Sequence, residues 1–396
     1  MSLSAASAAP RHSVVLRLAP FVFIIFAIYL TVGMPLAALP LHVHDQLGFD
    51  NLTVGITIGV QSLMTLLTRQ FAGSLSDRRG PKTAVMLGGV VSLIAGAIYL
   101  LSTLPSLVPQ ASLGIIFAGR AGLGIGESLV MTGGLAWSIA AVGPQHTGKV
   151  MVWVGIAMYA AVALGAPLGI YLMMHSGNGG GFVAVSWATM LFSILVLAIA
   201  VFVPSVRPHH GERLPFLKVA AQVAPFGAGL ALATIGFGAI AAFAALDFQR
   251  MGWSGSGFAL TGFGAAYILT RVLFGGWPDR FGGARVAFWS LLIETGGQIL
   301  LWLAFDPILA FAGAILTGIG FSLVFPSFGI EAVKQIPSTS RGAALGAYVA
   351  FFDIGFAVAG PLTGLIAGTF GYPSVFAAGA VAAAAGLLVA RRGRLS

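Results

Sequence analysis

In a chain of 396 residues with only 8% Asp, Glu, Lys and Arg, a few ionisable side chains fall deep inside long apolar stretches. Arg120 and Glu127 lie within 110–138, and Asp353 lies about twelve residues into 341–368. Ionisable groups at such depth are costly, so they face a cavity or a partner and by default mark a pathway. Low dielectric disfavours the charged form of a carboxyl group, the property needed of a group that takes up and releases a proton. Seven residues separate Arg120 from Glu127, which places both on nearly one helical face, about 10 Å apart along the axis. Helical side chains lean toward the N-terminus, so Arg120 reaches away from Glu127 and each needs another partner. Proton coupling or substrate binding is the expected role of this pair, with a structural salt bridge to a neighbouring helix as the alternative. For Asp353 the alternatives are the same proton chemistry, or an ion pair with Arg271 or another basic group. Glu294 and Gln298, four apart, share a face and read as structural hydrogen bonding. Arg69 and Arg271 read as braces that snorkel or pair with buried acids.

The elements that hold these groups follow from composition. With 58% hydrophobic residues the chain is outside the range of soluble domains and inside that of polytopic membrane proteins. Apolar stretches at 18–41, 52–75, 83–103, 110–138, 148–173, 182–204, 219–246, 256–277, 285–304, 307–330, 341–368 and 372–390 are each long enough to cross a bilayer as a helix. The fold class is therefore an all-α membrane protein of twelve transmembrane helices. The 55 glycines suit close helix packing in lipid. The polar interruption Pro204 to Pro215 is the natural linker, which gives an N-terminal tail (1–17), a six-helix bundle (18–204), a linker (205–218), a second bundle (219–390) and a C-terminal tail (391–396). Both tails and the linker are expected on the cytoplasmic side, because that orientation gathers Arg11, Arg78, Arg79, Lys82, Lys149, Lys218, Arg280, Arg341 and Arg391 inside and leaves Arg250 outside. The same asymmetry accounts for the net charge of +9 without nucleic acid as a partner. No cleavable signal peptide is read at the start. With no cysteine, disulfides and thiolate sites are ruled out.

An internal repeat is the most specific feature. Leu67-Thr68-Arg69, Gly73, Asp77-Arg78 and Gly80 return as Leu269-Thr270-Arg271, Gly275, Asp279-Arg280 and Gly282, a constant offset of 202 residues. Gly124-Ile125-Gly126 and Ser128-Leu129-Val130 return as Gly318-Ile319-Gly320 and Ser322-Leu323-Val324, now offset by 194, as do Gly148 at Gly342 and Pro167-Leu168 at Pro361-Leu362. Helices 2, 4 and 5 thus match helices 8, 10 and 11 in order and orientation, as in parallel repeats that enclose a site at their interface. The repeat fails where the ionisable groups stand: Arg120, Glu127 and Asp353 are replaced by Ala314, Phe321 and Tyr159. That asymmetry suits functional residues better than scaffold.

Gly73-Ser74-Leu75-Ser76-Asp77-Arg78-Arg79-Gly80-Pro81-Lys82 resembles motif A of the major facilitator superfamily, between helices 2 and 3. The resemblance implies two pseudo-symmetric six-helix bundles and alternating access. It also implies a gating latch of Gly73, Asp77, Arg78 and Gly80 against the start of helix 11 at Arg341-Gly342, with a second copy at Asp279 and Arg280 that departs at Pro278 and Gly283. Arg120-Ala121-Gly122-Leu123-Gly124 resembles motif B, whose arginine is associated with proton coupling in the family. Gly165-Ala166-Pro167-Leu168-Gly169 resembles motif C of its antiporters, with Ala166 where the family has glycine. Pro40 to Phe49, His146 to Met151, Gly155 to Tyr159 and Gly320 to Pro326 resemble the YhhS/YfcJ group of bacterial inner-membrane facilitators, over about residues 18 to 390.

The combined expectation is a monomeric, proton-coupled exporter of small organic compounds in a bacterial inner membrane. Its partners would be a small-molecule substrate, protons and the lipid bilayer, with no cofactor and no metal. Import or passive facilitation of sugars or organic acids is the alternative within transporters; a membrane-embedded sensor or enzyme is the alternative outside them. His42-x-His44-Asp45 has metal-like letters, yet reads as a solvated external loop. Gly122-Leu123-Gly124-Ile125-Gly126 has no strand before it and reads as helix packing, not a dinucleotide loop.

Overall fold

A chain this apolar has to satisfy its backbone polar groups within each segment, and helices do that locally. The computed structural model describes residues 11–143, 146–176, 181–206, 216–334 and 341–393, and the regular structure among them is entirely helical. The long helices are α1 (Arg11–Leu41), α2 (Asn51–Arg79), α3 (Pro81–Ser102), α4 (Pro109–Val142), α5 (Thr147–His175), α6 (Gly181–Phe202), α7 (Phe216–Arg250), α8 (Gly257–Phe274), α9 (Gly283–Trp302), α10 (Pro307–Lys334), α11 (Arg341–Phe370) and α12 (Tyr372–Arg392). Eleven of these are long and apolar enough to cross a membrane. The exception, α9, runs 20 residues and carries Arg285 and Glu294.

Helix ends follow local chemistry. Pro81 and Pro109 open α3 and α4, where a missing N–H costs nothing. Gly80 and Gly282, at φ of 94° and 89°, turn the chain from α2 into α3 and from the Trp277–Phe281 turn into α9, in a region other residues avoid. Asp50 caps α2, its carboxylate accepting from the Thr53 N–H at 2.8 Å. That bond holds the Asp50 carboxyl below the usual range.

Three details differ from the sequence expectation. The first helix begins at Arg11, within the segment read as a tail, and buries Val14 and Leu18. Helix 8 stops at Phe274 because Gly275-Gly276 intervenes, and a separate turn, Trp277–Phe281, carries Asp279 and Arg280. His42 to Gln46 is no solvated loop: it prolongs α1 as a π-helical turn, with His42 7% exposed and stacked on Phe182 at 4.5 Å. No group of three potential metal ligands forms among the described residues. The linker positions 207–215 lie outside the described residues.

Packing makes the repeat visible in space. In the first half α3 packs on α4 and α6, α1 on α4, α5 and α6, and α2 on α4. Adding six to each number gives the pairs of the second half. The halves meet where α2 packs on α11 and α5 on α8. Toward the α1–α2 connection these crossings are glycine-lined. A side chain on Gly55 would run into the Gly360 backbone, and one on Gly364 would run into Asn51. Gly257 faces Pro167, and Thr261 donates to the Ala163 carbonyl at 2.7 Å. Tyr372, opening α12, reaches Asn51 Oδ1 at 3.3 Å. The molecule is thus sealed between its halves at this end. Replacing Gly360 by Val is expected to part the seal. In this cysteine-free chain, a single cysteine introduced by Ala357→Cys should then label severalfold faster with an impermeant maleimide; unchanged labelling would refute the seal.

Candidate functional site

The polar side chains of α2 form a stripe at intervals of four, Thr57, Gln61, Thr65 and Arg69, one face of a helix whose opposite side presents Leu63, Leu67 and Phe71 outward. Around the lower part of that stripe the structure assembles a charged centre from both halves. Glu127 of α4 is half-buried and accepts from Gln61 Nε2 at 2.7 Å and from Thr65 Oγ1 at 3.4 Å. Gly124 makes the approach possible, since any side chain there would strike the Gln61 carbonyl; Thr65 bonds the Gly124 carbonyl at 3.1 Å.

Arg69, two turns below Gln61, crosses the interface to Asp353 of α11, with Nη2 at 2.5 Å from Oδ2. The Asp353 side chain is 7% exposed and that of Arg69 20%. The two acids lie within electrostatic reach of each other. From α1, the Tyr29 hydroxyl is turned toward Glu127 and feels Asp353 and Arg69 as well. The centre therefore holds two carboxyl groups, one guanidinium, a phenol and an amide, drawn from α1, α2 and α4 on one side and α11 on the other. It can exchange a proton for the Arg69 contact: a neutral Asp353 no longer attracts the cation that ties α11 to α2.

The sequence expectations divide accordingly. Glu127 and Asp353 come together in one centre. Arg120 does not join them: 1% exposed, it donates from Nε and Nη2 to the carbonyls of Thr57 and Ile58, both at 3.0 Å, and fixes α4 to α2. Asp353 is paired with Arg69 and not with Arg271. Arg271 instead donates to the Tyr267 hydroxyl at 2.6 Å, and Tyr267 stacks on Tyr159 with centroids 3.6 Å apart. The repeat relates Arg69 to Arg271 and Asp353 to Tyr159, so the α2–α11 and α5–α8 crossings carry related groups, an ion pair at one and stacked tyrosines beside an arginine at the other. Phe237, Phe263 and Phe321 of the second half surround Tyr159 of α5, and Phe356 packs on Phe237 behind them.

Of the motif A residues, Gly73 is half-buried on α2, Asp77 is half-buried and engaged, and Arg78 and Arg79 are exposed. Arg341 opens α11, and its side chain lies outside the described residues. Asp279 and Arg280 are exposed, and Arg280 lies over Phe281 at 5.3 Å. Lys82, the last residue of the motif, donates from Nζ to the carbonyls of Val201 and Val203 at 2.9 and 2.8 Å, completing the C-terminal end of α6. In the helix 5 motif, Gly165 and Gly169 lie against the backbone of Gly33 and Met34 in α1, while Pro167 faces α8.

Tyr29, Gln61 and Thr65 belong to the centre; Gln61 and Thr65 were not singled out from the sequence, and the four-residue polar interval on α2 is the signal that points to them.

Residues 21–255 and 226–394 match the Major Facilitator Superfamily. An uncharacterized MFS-type transporter of Burkholderia mallei is 42% identical, covering all of this chain and 98% of the relative. One of Pseudomonas aeruginosa is 44% identical over 96% of this chain and 94% of its own length. Among solved structures, a D-xylose-proton symporter superposes with a TM-score of 0.75 at 17% identity, covering 95% of this chain and 97% of that one. The nucleoside transporter NupG does so with a TM-score of 0.73 at 13% identity, covering 95% and 99%. At those identities the likeness is one of fold.

Proposed function

The chain belongs to the Major Facilitator Superfamily and is a membrane transporter, and we propose that it works by proton-coupled alternating access, exporting small organic compounds. The observation that carries this reading is the Glu127–Arg69–Asp353 centre at the crossing of α2 and α11. Protonation of Asp353 releases Arg69 and loosens the α2–α11 crossing; proton loss restores the pair. Glu127, held by Gln61, receives the proton or a cationic part of the cargo. Arg120 positions Glu127 by fixing α4 on α2. The two halves move as bundles of residues 18–204 and 219–390, and Asp77, Arg78 and Gly80 latch onto Arg341 when the opposite end closes. The Lys and Arg distribution supports a reading in which the sealed end faces outward from a bacterial inner membrane and both chain termini lie inside; the working unit in this reading is a monomer. Export is supported by the Gly165-Ala166-Pro167-Leu168-Gly169 segment, which packs backbone to backbone on α1 and meets α8 at the sealed end.

A test starts from purified protein, with compounds chosen by the thermal stabilisation they give. In oriented vesicles, outward movement of such a compound is expected to stop with an uncoupler and with Glu127→Gln. Flux indifferent to both would remove proton coupling, and uptake with the gradient would replace export by import.

A further inference from the structure

Glu294 of α9 is fully buried, at 0% exposure, and neither carboxyl oxygen has a hydrogen-bond partner among the described residues. It lies outside the Glu127–Asp353 centre. Its surroundings set a direction of hydrogen bonding. Thr317 of α10 donates its hydroxyl to the Gly313 carbonyl at 2.8 Å, so Thr317 Oγ1 is an acceptor for Gln298 Nε2 at 3.3 Å. The second hydrogen of Nε2 goes to the Gly236 carbonyl of α7 at 3.2 Å. Both amide hydrogens are then used, and Gln298 Oε1 is left as a buried acceptor with no donor.

Glu294 stands one turn before Gln298 on the same face. The two side chains converge on Gly236, whose Cβ position would lie 3.1 Å from Glu294 Oε1 and 3.2 Å from Gln298 Cδ. An ionised Glu294 adds two more acceptors to a place that already lacks a donor, and an unpaired charge to a place without counter-charge. A neutral carboxylic acid supplies one O–H, and Gln298 Oε1, one turn on along the same face, is an acceptor that lacks a donor.

We propose that Glu294 is a second proton-binding site, occupied in this state of the protein, with its O–H donated to Gln298 Oε1. The groups that face it are Gly236 of α7, Gly320 and Thr317 of α10, and Gly379 of α12, which backs Gln298 Oε1. Tyr159 of α5, stacked on Tyr267 and through it on Arg271, is within electrostatic reach across the bundle interface. Other charged groups on the packed helices stand at their ends. Glu331 of α10, paired with Lys334, bonds the Ala284 N–H about 15 Å along α9 from Glu294. Asp247 and Arg250 end α7, Arg391 and Arg392 end α12, and Arg285 is exposed at the start of α9. The site holds its proton whichever way cargo moves.

Infrared difference spectra of wild type against Glu294→Gln in lipid vesicles at neutral pH test this. A carboxylic acid C=O band present in wild type and absent in E294Q is expected, and Gln298→Leu should shift that band by removing its acceptor. E294Q, whose amide can donate as the acid does, should melt within a few degrees of wild type. If E294Q does not fold, the band and its shift in Gln298→Leu decide alone. Absence of the band overturns the proposal, as does a sodium-dependent gain in melting temperature present in wild type and lost in E294Q or Gln298→Leu, which would put a metal ion in the site.

Discussion

Replacing Asp353 by Asn is expected to abolish proton-driven accumulation of cargo while the protein still folds. Asn keeps the size and an acceptor oxygen for Arg69, and removes the protonation change on which the Arg69–Asp353 contact depends. Removing one partner of a fully buried ion pair costs about 3–5 kcal/mol, whereas exposed pairs contribute about 0–1. Arg69 keeps 20% of its side chain accessible, so the loss in Asp353→Asn should fall between, at about 1–2 kcal/mol. Arg69→Gln is the harsher change, because it strands a carboxyl group that is 7% exposed. The double variant Arg69→Gln, Asp353→Asn should therefore be more stable than the sum of the single losses, by at least about 1 kcal/mol. Thermal unfolding of the four proteins in one detergent gives this cycle, and vesicle flux gives the coupling. Uphill transport persisting in Asp353→Asn would take Asp353 out of the mechanism. Additive stabilities would show that the pair does not join the halves.

The parts of this site that carry charge were legible from the sequence, because an ionisable residue in an apolar stretch stands out and because the repeat shows which of them have no counterpart. Glu127 and Asp353 were found in that way. Their partners were harder to read. Gln61 and Tyr29 are uncharged and ordinary in composition, and which faces of α1, α2 and α11 converge is decided by glycine contacts between helices that are far apart in sequence. The choice of Arg69 over Arg271 as partner of Asp353 has the same origin: the repeat makes the two arginines look alike, and only the pairing of α2 with α11 separates them. Helix number and order were legible from apolar length alone. The break after Phe274 was written in Gly275-Gly276 and Pro278, and the similarity of this segment to Gly73–Gly80 masked it. The burial of His42 was not legible, since the π-helical turn and the Phe182 ring that cover it leave no local pattern.

Arg120 is where the sequence and the geometry pull furthest apart, and its replacement is expected to show a loss of stability and not of coupling. The guanidinium spans two consecutive carbonyls of α2 at 3.0 Å each, with Tyr99 of α3 beside it, in a site that is 1% exposed. Hydrogen bonds from a charged donor contribute about 1.5–3 kcal/mol each, and a carbonyl left bare in such a place keeps its full desolvation cost. Lysine is a point donor on a flexible stem and cannot reproduce the fork. Arg120→Lys should therefore destabilise by about 2–4 kcal/mol and Arg120→Ala by more, with a lower melting temperature in both. The flux that survives per folded molecule should keep the proton dependence of the parent, because Glu127, Gln61 and Asp353 are untouched. If Arg120 were a coupling group, the opposite pattern would appear: Arg120→Lys would melt as wild type does while its flux lost or shifted its dependence on pH. Recording melting temperature and the pH profile of flux on the same preparation separates the two. The outcome also bears on Glu127, since a brace lost between α4 and α2 widens the gap that Gly124 now closes and withdraws Gln61 from its carboxylate.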